Sequence, residues 1–259
     1  MSRTVVIGAS SGLGRCIGVG LARRGDHVAL LARRRERIEA AANDAGPNAI
    51  AIACDVTDEA LCRSAINDAA DALGGIDNLV YTPAVGPLVR MVDTDAEMWR
   101  RVFDTNVIGA ALATAAAVPY LTSSAGKAVY LSSDAGTLGP SWPGLGAYGV
   151  SKAALERLVD AWRAEHPDIG FTCLIVGECP GGEGDGATGM NIGWDLELAQ
   201  QAYPLWLSRG CMPGKLMPVE DLVEVVHTIL HTDAATSMPV VIARGAPASP
   251  AAFPDSVQS

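Results

Sequence analysis

TVVIGASSGLG, residues 4–14, is the stretch that decides which fold we expect for this chain. Its first four residues predict a buried strand, and an apolar pattern with helical spacing begins after the glycines. Strand, glycine turn and helix together form a pyrophosphate site, because glycine lets the backbone approach phosphate and a helix N-terminus presents free N–H groups. We therefore predict that the turn binds a nucleotide cofactor through Gly8, Ser10, Ser11, Gly12, Leu13 and Gly14.

Short apolar runs alternate with helical patterns along most of the 259 residues. We predict strands at 4–7, 27–31, 49–54, 78–81, 127–131, 171–176 and 239–243, and helices near 13–24, 34–45, 58–73, 95–118, 148–166 and 219–231. Strands separated by helix-length segments imply right-handed βαβ crossovers. The fold class that we expect is α/β, a Rossmann-like, doubly wound parallel sheet of about seven strands with helices on both faces.

The long segment after the sixth predicted strand breaks this alternation. It is rich in glycine at its start, and a long loop inside a compact domain is usually functional. Nothing in the composition divides the chain, so we predict one domain over residues 1–259. It would carry a substrate lid at about 181–217 and a loose C-terminal tail over 245–259.

Composition and charge narrow the classes of partner. The net charge of −10 argues against nucleic acid, which needs a basic face, and against an anionic membrane surface. The six cysteines contain no C-x-x-C pair, and no His/Cys cluster has zinc spacing, so we predict no metal site. The cysteines are better interpreted as small buried hydrophobes in a reducing compartment. Since the N-terminus fits no signal peptide, we expect a cytoplasmic protein.

One uncharged run, residues 106–126, is long enough to be confused with a membrane span. It is rich in alanine rather than leucine, and it contains Pro119. We expect a buried or interface helix that ends near Pro119, because proline interrupts helical hydrogen bonding.

The glycine turn also satisfies the G-x-S-x-G pattern of serine hydrolases, with Ser10 as the nucleophile. A nucleophile elbow follows several earlier strands, whereas only the strand predicted at 4–7 comes before this turn. Only His166, His227 and His231 could serve as a late base, and none lies in a loop after a predicted strand. A hydrolase is therefore the weaker interpretation.

Arginines follow the second predicted strand, where an enzyme that prefers NAD usually carries a carboxylate for the ribose 2′-hydroxyl. Arginine instead suits a 2′-phosphate, and the first acid here is Glu36. The pattern favours NADP(H) over NAD(H), with Arg33 as the best phosphate ligand and Arg34 and Arg15 as candidate helpers. A solvated basic start to the second helix, paired with Glu36 and Glu39, is the alternative.

Tyr148 and Lys152 lie four residues apart in a predicted helix and therefore share one side of it. An ammonium beside a phenol favours the phenolate, which would turn a weak acid into a proton donor near neutral pH. A surface helix with one aromatic residue and one solvated lysine has the same spacing.

In this order along the chain, the motifs resemble the classical branch of the short-chain dehydrogenase/reductase family. The resemblance is close over residues 4–176 and rests on five matches. These are Gly8-x-x-x-Gly12-x-Gly14, Cys54-Asp55-Val56, Asn106-Val-Ile-Gly109, Leu131-Ser132-Ser133 and Tyr148-x-x-x-Lys152.

The resemblance implies an oxidoreductase that interconverts a carbonyl and an alcohol by hydride transfer. It implies that Tyr148 exchanges a proton with the substrate oxygen, and that Ser133 hydrogen-bonds the same oxygen. Lys152 would bind the nicotinamide ribose and favour the Tyr148 phenolate, and Asn106 would hold a water that connects Lys152 to solvent. Further cofactor contacts are implied for Asp55 and Val56, on the adenine, and for Pro180 and Gly181, near the nicotinamide.

The chain departs from the family pattern in three places. The run Tyr81-Thr-Pro-Ala84 replaces the family's Asn-Asn-Ala-Gly, which puts backbone contacts to the cofactor in doubt. The loop between Ser133 and Tyr148 is longer than usual and should shape the substrate pocket. The threonine that follows Pro-Gly in the family corresponds only loosely to Thr188.

Aromatic residues in the loop and lid, namely Trp142, Trp194, Tyr203 and Trp206, favour a fairly large apolar ketone as the substrate, reduced with NADPH. Packing within the lid or a subunit contact is the alternative role. The second functional hypothesis is an NADP-binding sensor or scaffold without catalysis, motivated by the altered run 81–84 and by the unusual segment after Val176. By analogy with the family we expect a homo-oligomer, a dimer or tetramer, with contacts from 107–118 and 148–166.

Overall fold

The structure, a computed structural model, describes residues 1–181, 190–191, 193–212, 215–233 and 237–246. Its strands are β1 (Arg3–Ile7), β2 (His27–Ala32), β3 (Ala49–Ala53), β4 (Asn78–Tyr81), β5 (Lys127–Ser133), β6 (Gly170–Val176) and β7 (Val240–Ala243). Its α-helices are α1 (Gly12–Arg23), α2 (Arg35–Ala45), α3 (Glu59–Leu73), α4 (Ala96–Phe103), α5 (Gly109–Ser124), α6 (Gly146–Glu165), α7 (Leu196–Ser208) and α8 (Val219–His231). A π-helical turn, Asp104–Ile108, joins α4 to α5.

The strands form one seven-stranded sheet in the order β3-β2-β1-β4-β5-β6-β7, and every neighbouring pair is parallel. This confirms the predicted doubly wound α/β fold. The strand order reverses between β1 and β4, and in such sheets a ligand crevice opens beyond the carboxyl ends of the strands at that point.

Alternating residues of each strand face opposite layers of the core. Val5 and Ile7 belong to a buried cluster with residues of α3, α5 and α6. Val6 belongs to a second buried cluster, which contains residues of α1, α2 and α8. The sheet is therefore covered on both faces, which explains why its strands read as nearly continuous apolar runs.

The predicted strand boundaries agree with the structure to within two residues, and β4 agrees at both ends. Asp58 is the N-cap of α3, where its side chain accepts a hydrogen bond from the Leu61 N–H.

The predicted end of a helix near Pro119 is wrong, because α5 continues to Ser124. Pro119 and Ala115, whose carbonyl would normally accept the bond that proline cannot donate, are both exposed. Water can serve that carbonyl, so the helix tolerates the proline. The continuous helical stretch Ala96–Ser124 is long and apolar enough to cross a membrane by length and composition. Its α5 part is nevertheless packed in the core, through residues such as Ala113 and Ala117.

The segment predicted as a lid contains α7, which the periodicity of the sequence did not reveal. Its buried side chains, Ala202 and Trp206, pack with Leu88, Leu145 and Tyr148. Helix α7 therefore packs against the helix that carries the predicted catalytic tyrosine. Most of the predicted loose tail lies outside the described residues.

Candidate active site

The glycine turn between β1 and α1 has a backbone that only glycine adopts easily. Gly8 has φ +86° and Gly12 has φ +55°, both in the left-handed region. A Cβ on Gly14 would lie 2.6 Å from the Gly8 carbonyl oxygen and 2.2 Å from the Thr82 hydroxyl oxygen. The turn therefore presents bare backbone at the N-terminus of α1, as a pyrophosphate group requires.

The unusual run 81–84 closes the base of this turn. The Thr82 hydroxyl donates to the Ile7 carbonyl at 2.6 Å, across the boundary between β4 and β1. The Tyr81 hydroxyl donates to the Thr105 carbonyl at 2.6 Å, inside the π-helical turn. The residues that replace the family's asparagines are thus bonded to the two neighbouring elements of the site.

Asn106 is completely buried and holds the backbone of Val85 on both sides. Its Oδ1 accepts from the Val85 N–H at 2.7 Å, and its Nδ2 donates to the Val85 carbonyl at 2.9 Å. The same Nδ2 also donates to the Ser151 hydroxyl at 2.8 Å. Because both hydrogens of its Nδ2 are used in this way, a water of the kind predicted from the resemblance would have to bind the Oδ1 or the main chain of Asn106.

Among the arginines after β2, Arg34 contacts the glycine turn. Its Nη2 lies 2.8 Å from the Ser10 hydroxyl oxygen and 2.7 Å from that of Ser11. Arg33 lines the same cleft and is exposed, whereas the Arg15 guanidinium forms an ion pair with Asp44. Of the two predicted helpers, Arg34 is therefore at the glycine turn, whereas Arg15 is paired with Asp44.

Ser133, Tyr148 and Lys152 meet where β5 ends and α6 begins. The Ser133 hydroxyl accepts from the Ala135 N–H at 3.2 Å, and Tyr148 and Lys152 occupy successive turns of α6. The Lys152 Nζ lies 5.6 Å from the centroid of the Tyr148 ring and donates to the Leu131 carbonyl at 2.6 Å. Sequence reasoning predicted this grouping, and the structure places these three side chains on one cleft.

Burial dominates the acid–base properties of these groups. It raises the pKa of Tyr148 to about 12, although the Ser133 hydroxyl lowers it. Burial also lowers the pKa of Lys152 to about 8, against the opposing effect of Cys173 and Glu156. The expected lowering of the tyrosine pKa by the lysine is thus not found, because desolvation of the phenolate dominates and the Asp134 charge raises the pKa further.

The cleft has a volume of about 1120 Å³ and runs from the arginines and the glycine turn to Tyr148. It is lined by most of the predicted site residues, namely Gly8, Ser10, Ser11, Leu13, Gly14, Arg33, Arg34, Asp55, Val56, Ser133, Tyr148, Lys152 and Pro180. Gly12, Asn106 and Gly181 lie behind this lining. A Cβ on Gly181 would come within 2.8 Å of the Gly12 Cα, so the two glycines pack together. Thr188 lies outside the described residues.

For four aromatic residues the sequence left two roles open, contact with a substrate or packing within the protein. Two of them line the cleft, and two pack elsewhere. Trp142 and Trp194 line the cleft, and the Trp194 indole donates to the Gly86 carbonyl at 2.8 Å. Trp206 is buried in α7 and donates to the Pro143 carbonyl at 2.8 Å. Tyr203 is 49% exposed and packs edge-on against Trp206, outside the lining of the cleft.

Two carboxylates that sequence reasoning missed also line the cleft, Asp134 and Glu178. Burial raises the pKa of both, and the Asp134 charge raises that of Glu178 further. The Ser133 hydroxyl lies 3.4 Å from an Asp134 carboxylate oxygen. Their position just after β5 and β6, where strand ends meet the crevice, was the signal that could have revealed them.

The structure does not support a serine hydrolase. The Ser10 hydroxyl accepts hydrogen bonds from Arg34, and no histidine lines the cleft within the part of the chain that the structure describes. The His231 ring instead pairs with Asp26 at 2.9 Å, near the amino end of β2.

Comparison with known proteins identifies relatives of this arrangement. The family model described as short chain dehydrogenase matches residues 2–189. The chain is 36% identical over 176 residues to the glycine betaine reductase ATRR of Emericella nidulans, a match that covers 66% of this chain and 14% of that protein. It is 35% identical over 179 residues to 11-beta-hydroxysteroid dehydrogenase 1A of Arabidopsis thaliana, covering 67% of this chain and 51% of that protein. The matches therefore span about half of the plant relative and a small part of the fungal one.

Among solved structures, an alcohol dehydrogenase from the archaeon Thermococcus sibiricus, complexed with 5-hydroxy-NADP, superimposes with a TM-score of 0.79. The match covers 97% of this chain and 99% of that chain at 22% identity. At this identity the likeness shows a common fold.

Proposed function

Since the chain belongs to the short-chain dehydrogenase family, and is thus an NAD(P)-binding oxidoreductase acting on CH–OH and C=O groups, we propose that it reduces a fairly large apolar ketone with NADPH. The observation that carries the proposal is the single cleft shared by the glycine turn, the arginines after β2, and Ser133, Tyr148 and Lys152.

The described residues fit a nicotinamide dinucleotide. A Cβ on Gly8 or Gly14 would collide with the Thr82 hydroxyl, so both positions need glycine, and the turn keeps a bare backbone next to the free N–H groups of α1. Asp55 and Val56 line the cleft at the end of β3 and are assigned to the adenine. Pro180 and Gly181, after β6, are assigned to the nicotinamide end.

Preference for NADP(H) over NAD(H) is supported by the charge at the end of β2. Arg33 and Arg34 both line the cleft there, where a carboxylate would be expected for an unmodified ribose. A guanidinium matches the geometry and charge of a 2′-phosphate. The solved neighbour from Thermococcus sibiricus was complexed with an NADP derivative.

The bound cofactor would supply or accept the hydride, and the protein's side chains would handle the proton. We assign Tyr148 as the donor of a proton to the carbonyl oxygen in reduction, and as the acceptor in oxidation. Ser133 would hydrogen-bond that oxygen and hold it in place. With its pKa of about 8, Lys152 can be an ammonium at neutral pH, and we assign it to the nicotinamide ribose beside Tyr148, 5.6 Å from the centroid of the tyrosine ring.

The substrate would lie between the end of β5 and the lid. Trp142 and Trp194 offer apolar surface for its body, which supports a large apolar substrate. Asp134 and Glu178 on the same wall disfavour an anionic group near the carbonyl. Partners in this proposal are thus a small molecule and a nicotinamide cofactor, with no metal and no nucleic acid.

We further propose a cytoplasmic homo-oligomer, a dimer or tetramer, built from a single domain. Exposed apolar side chains near α5 and on α6, such as Ile108 and Val150, support a contact between copies of the chain. A monomer in light scattering would contradict this proposal. The alternative is a catalytically inactive sensor, and one of its two motivations is weaker because Tyr81 and Thr82 are hydrogen-bonded to neighbouring elements of the site.

Turnover of Tyr148→Phe tests the proposed chemistry. With NADPH and a panel of ketones and quinones, we expect reduction by the purified protein and a loss of at least about 100-fold in kcat for the variant. NADPH titration, followed by protein fluorescence, should show that the variant still binds the cofactor. Reduction at the wild-type rate by the variant would refute the mechanism.

A further inference from the structure

Glu156 lies on α6 one turn after Lys152 and uses both of its carboxylate oxygens. Its Oε1 accepts from the Ser132 hydroxyl at 2.7 Å, and its Oε2 accepts from the Thr137 hydroxyl. Among the residues that the structure describes, Glu156 forms no ion pair. Its carboxylate is therefore stabilised by the hydrogen bonds from these two hydroxyls.

The two hydroxyls belong to opposite sides of Ser133. Ser132 precedes it at the end of β5 and is buried, whereas Thr137 lies in the loop that follows. A Cβ on Gly136, in that loop, would come within 2.6 Å of the Glu156 Oε1. One carboxylate therefore fixes the backbone before and after Ser133 against the helix that carries Tyr148 and Lys152.

Hydrogen bonds to a charged acceptor are stronger than those between neutral groups. The two bonds to Glu156 can therefore fix the distance between the end of β5 and helix α6. They connect the strand and the helix directly, close to the point where the Ser133 hydroxyl and the Tyr148 phenol must address the same oxygen.

We propose that Glu156 is a positioning residue for the reaction, acting through Ser133 by holding Ser132 and Thr137 on α6. The inference rests on the proposed function of Ser133 and Tyr148, and it goes beyond that function by assigning a task to a residue outside the family motifs.

A double-mutant cycle tests the inference. We expect Glu156→Ala to lower kcat about 10- to 100-fold, because small misplacement of a reacting group has this effect, while the Kd for NADPH stays within about twofold. Glu156→Gln should recover most of the rate, since its amide can accept from one hydroxyl and donate to the other. Glu165→Ala, at the exposed end of the same helix, is the matched control and should behave as wild type.

The second half of the cycle uses the Ser133→Ala background. If Glu156 acts through Ser133, adding Glu156→Ala there should cost less than about twofold more in kcat. An equal fold-loss in both backgrounds would overturn the positioning role. So would a wild-type kcat for Glu156→Ala alongside strong losses in Ser133→Ala and Tyr148→Phe.

Failure of the proposed function gives a different pattern, in which Ser133→Ala and Tyr148→Phe themselves turn over at the wild-type rate. Should Glu156→Ala fail to fold, Ser132→Ala and Thr137→Val remove the same two bonds from the other side. Wild-type kcat in both of these variants would refute the inference.

Discussion

The Thr82 hydroxyl donates to the Ile7 carbonyl at 2.6 Å and so joins the ends of β4 and β1 directly beneath the glycine turn. These are the two strands between which the sheet reverses its order. The same oxygen occupies the space where a side chain on Gly8 or Gly14 would start. The bond and the glycines therefore form one packed unit at the switch point.

We predict that Gly14→Ala weakens NADPH binding about tenfold or more, because the added methyl group cannot fit. Thr82→Ala should not rescue it, since the Gly8 carbonyl oxygen would remain 2.6 Å from the new Cβ. Fluorescence titration of both variants checks this, with thermal melting to show that they fold. Recovery of wild-type affinity in the double variant would contradict the prediction.

Arg33 and Arg34 should affect cofactor use differently. Arg33→Ala should lower kcat/KM with NADPH about 10- to 100-fold and leave NADH unchanged, as expected for the loss of a charged contact to a 2′-phosphate. Arg34→Ala should lower both, because Arg34 also holds Ser10 and Ser11. Arg35→Ala, an exposed residue near Glu39, is the control. An unchanged NADPH/NADH ratio in Arg33→Ala would count against NADP preference.

The buried Lys152 should lower the free energy of unfolding by an amount that depends on pH. Its folded pKa of about 8 lies below the ordinary value of 10.5, so between these pH values only the unfolded chain keeps the proton. The free energy of unfolding of the wild type therefore rises through this range. Lys152→Met removes this dependence, so its stability relative to wild type should fall by about 1 kcal/mol or more from pH 7 to pH 10.

Urea denaturation at several pH values measures this difference. Lys215→Met, at an exposed position, provides the control and should show no such trend. A difference between Lys152→Met and wild type that is constant with pH would show that burial does not perturb the lysine.

Trp194 lines the cleft, whereas Tyr203 packs against Trp206 outside the cleft lining, so the two residues can be compared. Trp194→Ala should raise KM for large apolar ketones about tenfold, because an aromatic wall of the cleft is lost, while small ketones change little. Tyr203→Ala, whose side chain is half exposed and does not line the cleft, should leave both unchanged. Equal effects of the two substitutions on large and small ketones would argue against a substrate-contacting Trp194.

Local patterns were enough to predict the sheet and the order of the motifs. The apolar run Asn78–Tyr81 is bounded by polar and proline-containing segments, so its strand could be placed at both ends. The glycine turn and the helical spacing of Tyr148 and Lys152 follow the same local logic, and the structure places them on one cleft.

Features that depend on tertiary context escaped prediction. The helix through Pro119 is tolerated because Ala115 faces solvent, which spacing alone does not reveal. Helix α7 contains Pro204, and only two of its residues, Ala202 and Trp206, are buried. The periodicity of apolar residues that would reveal the helix in the sequence is therefore weak. The bonds from Asn106 to Val85 and from Arg34 to Ser10 join residues that are distant in sequence, and no pattern within one segment encodes them.

In the sheet, β1 lies between β2 and β4. The nucleotide part of the site is built on β1, β2 and β3, and the catalytic part is built on β5 and α6, so the two parts can assemble in a set order. β1 can pair with β2, and β2 with β3, before any residue of β5 or α6 has been synthesised. Ser133 pairs with Val176 of β6, and β6 pairs with β7 at the far edge of the sheet. Damage at that edge should therefore disturb the placement of Ser133 and lower turnover more than it lowers affinity for the nucleotide.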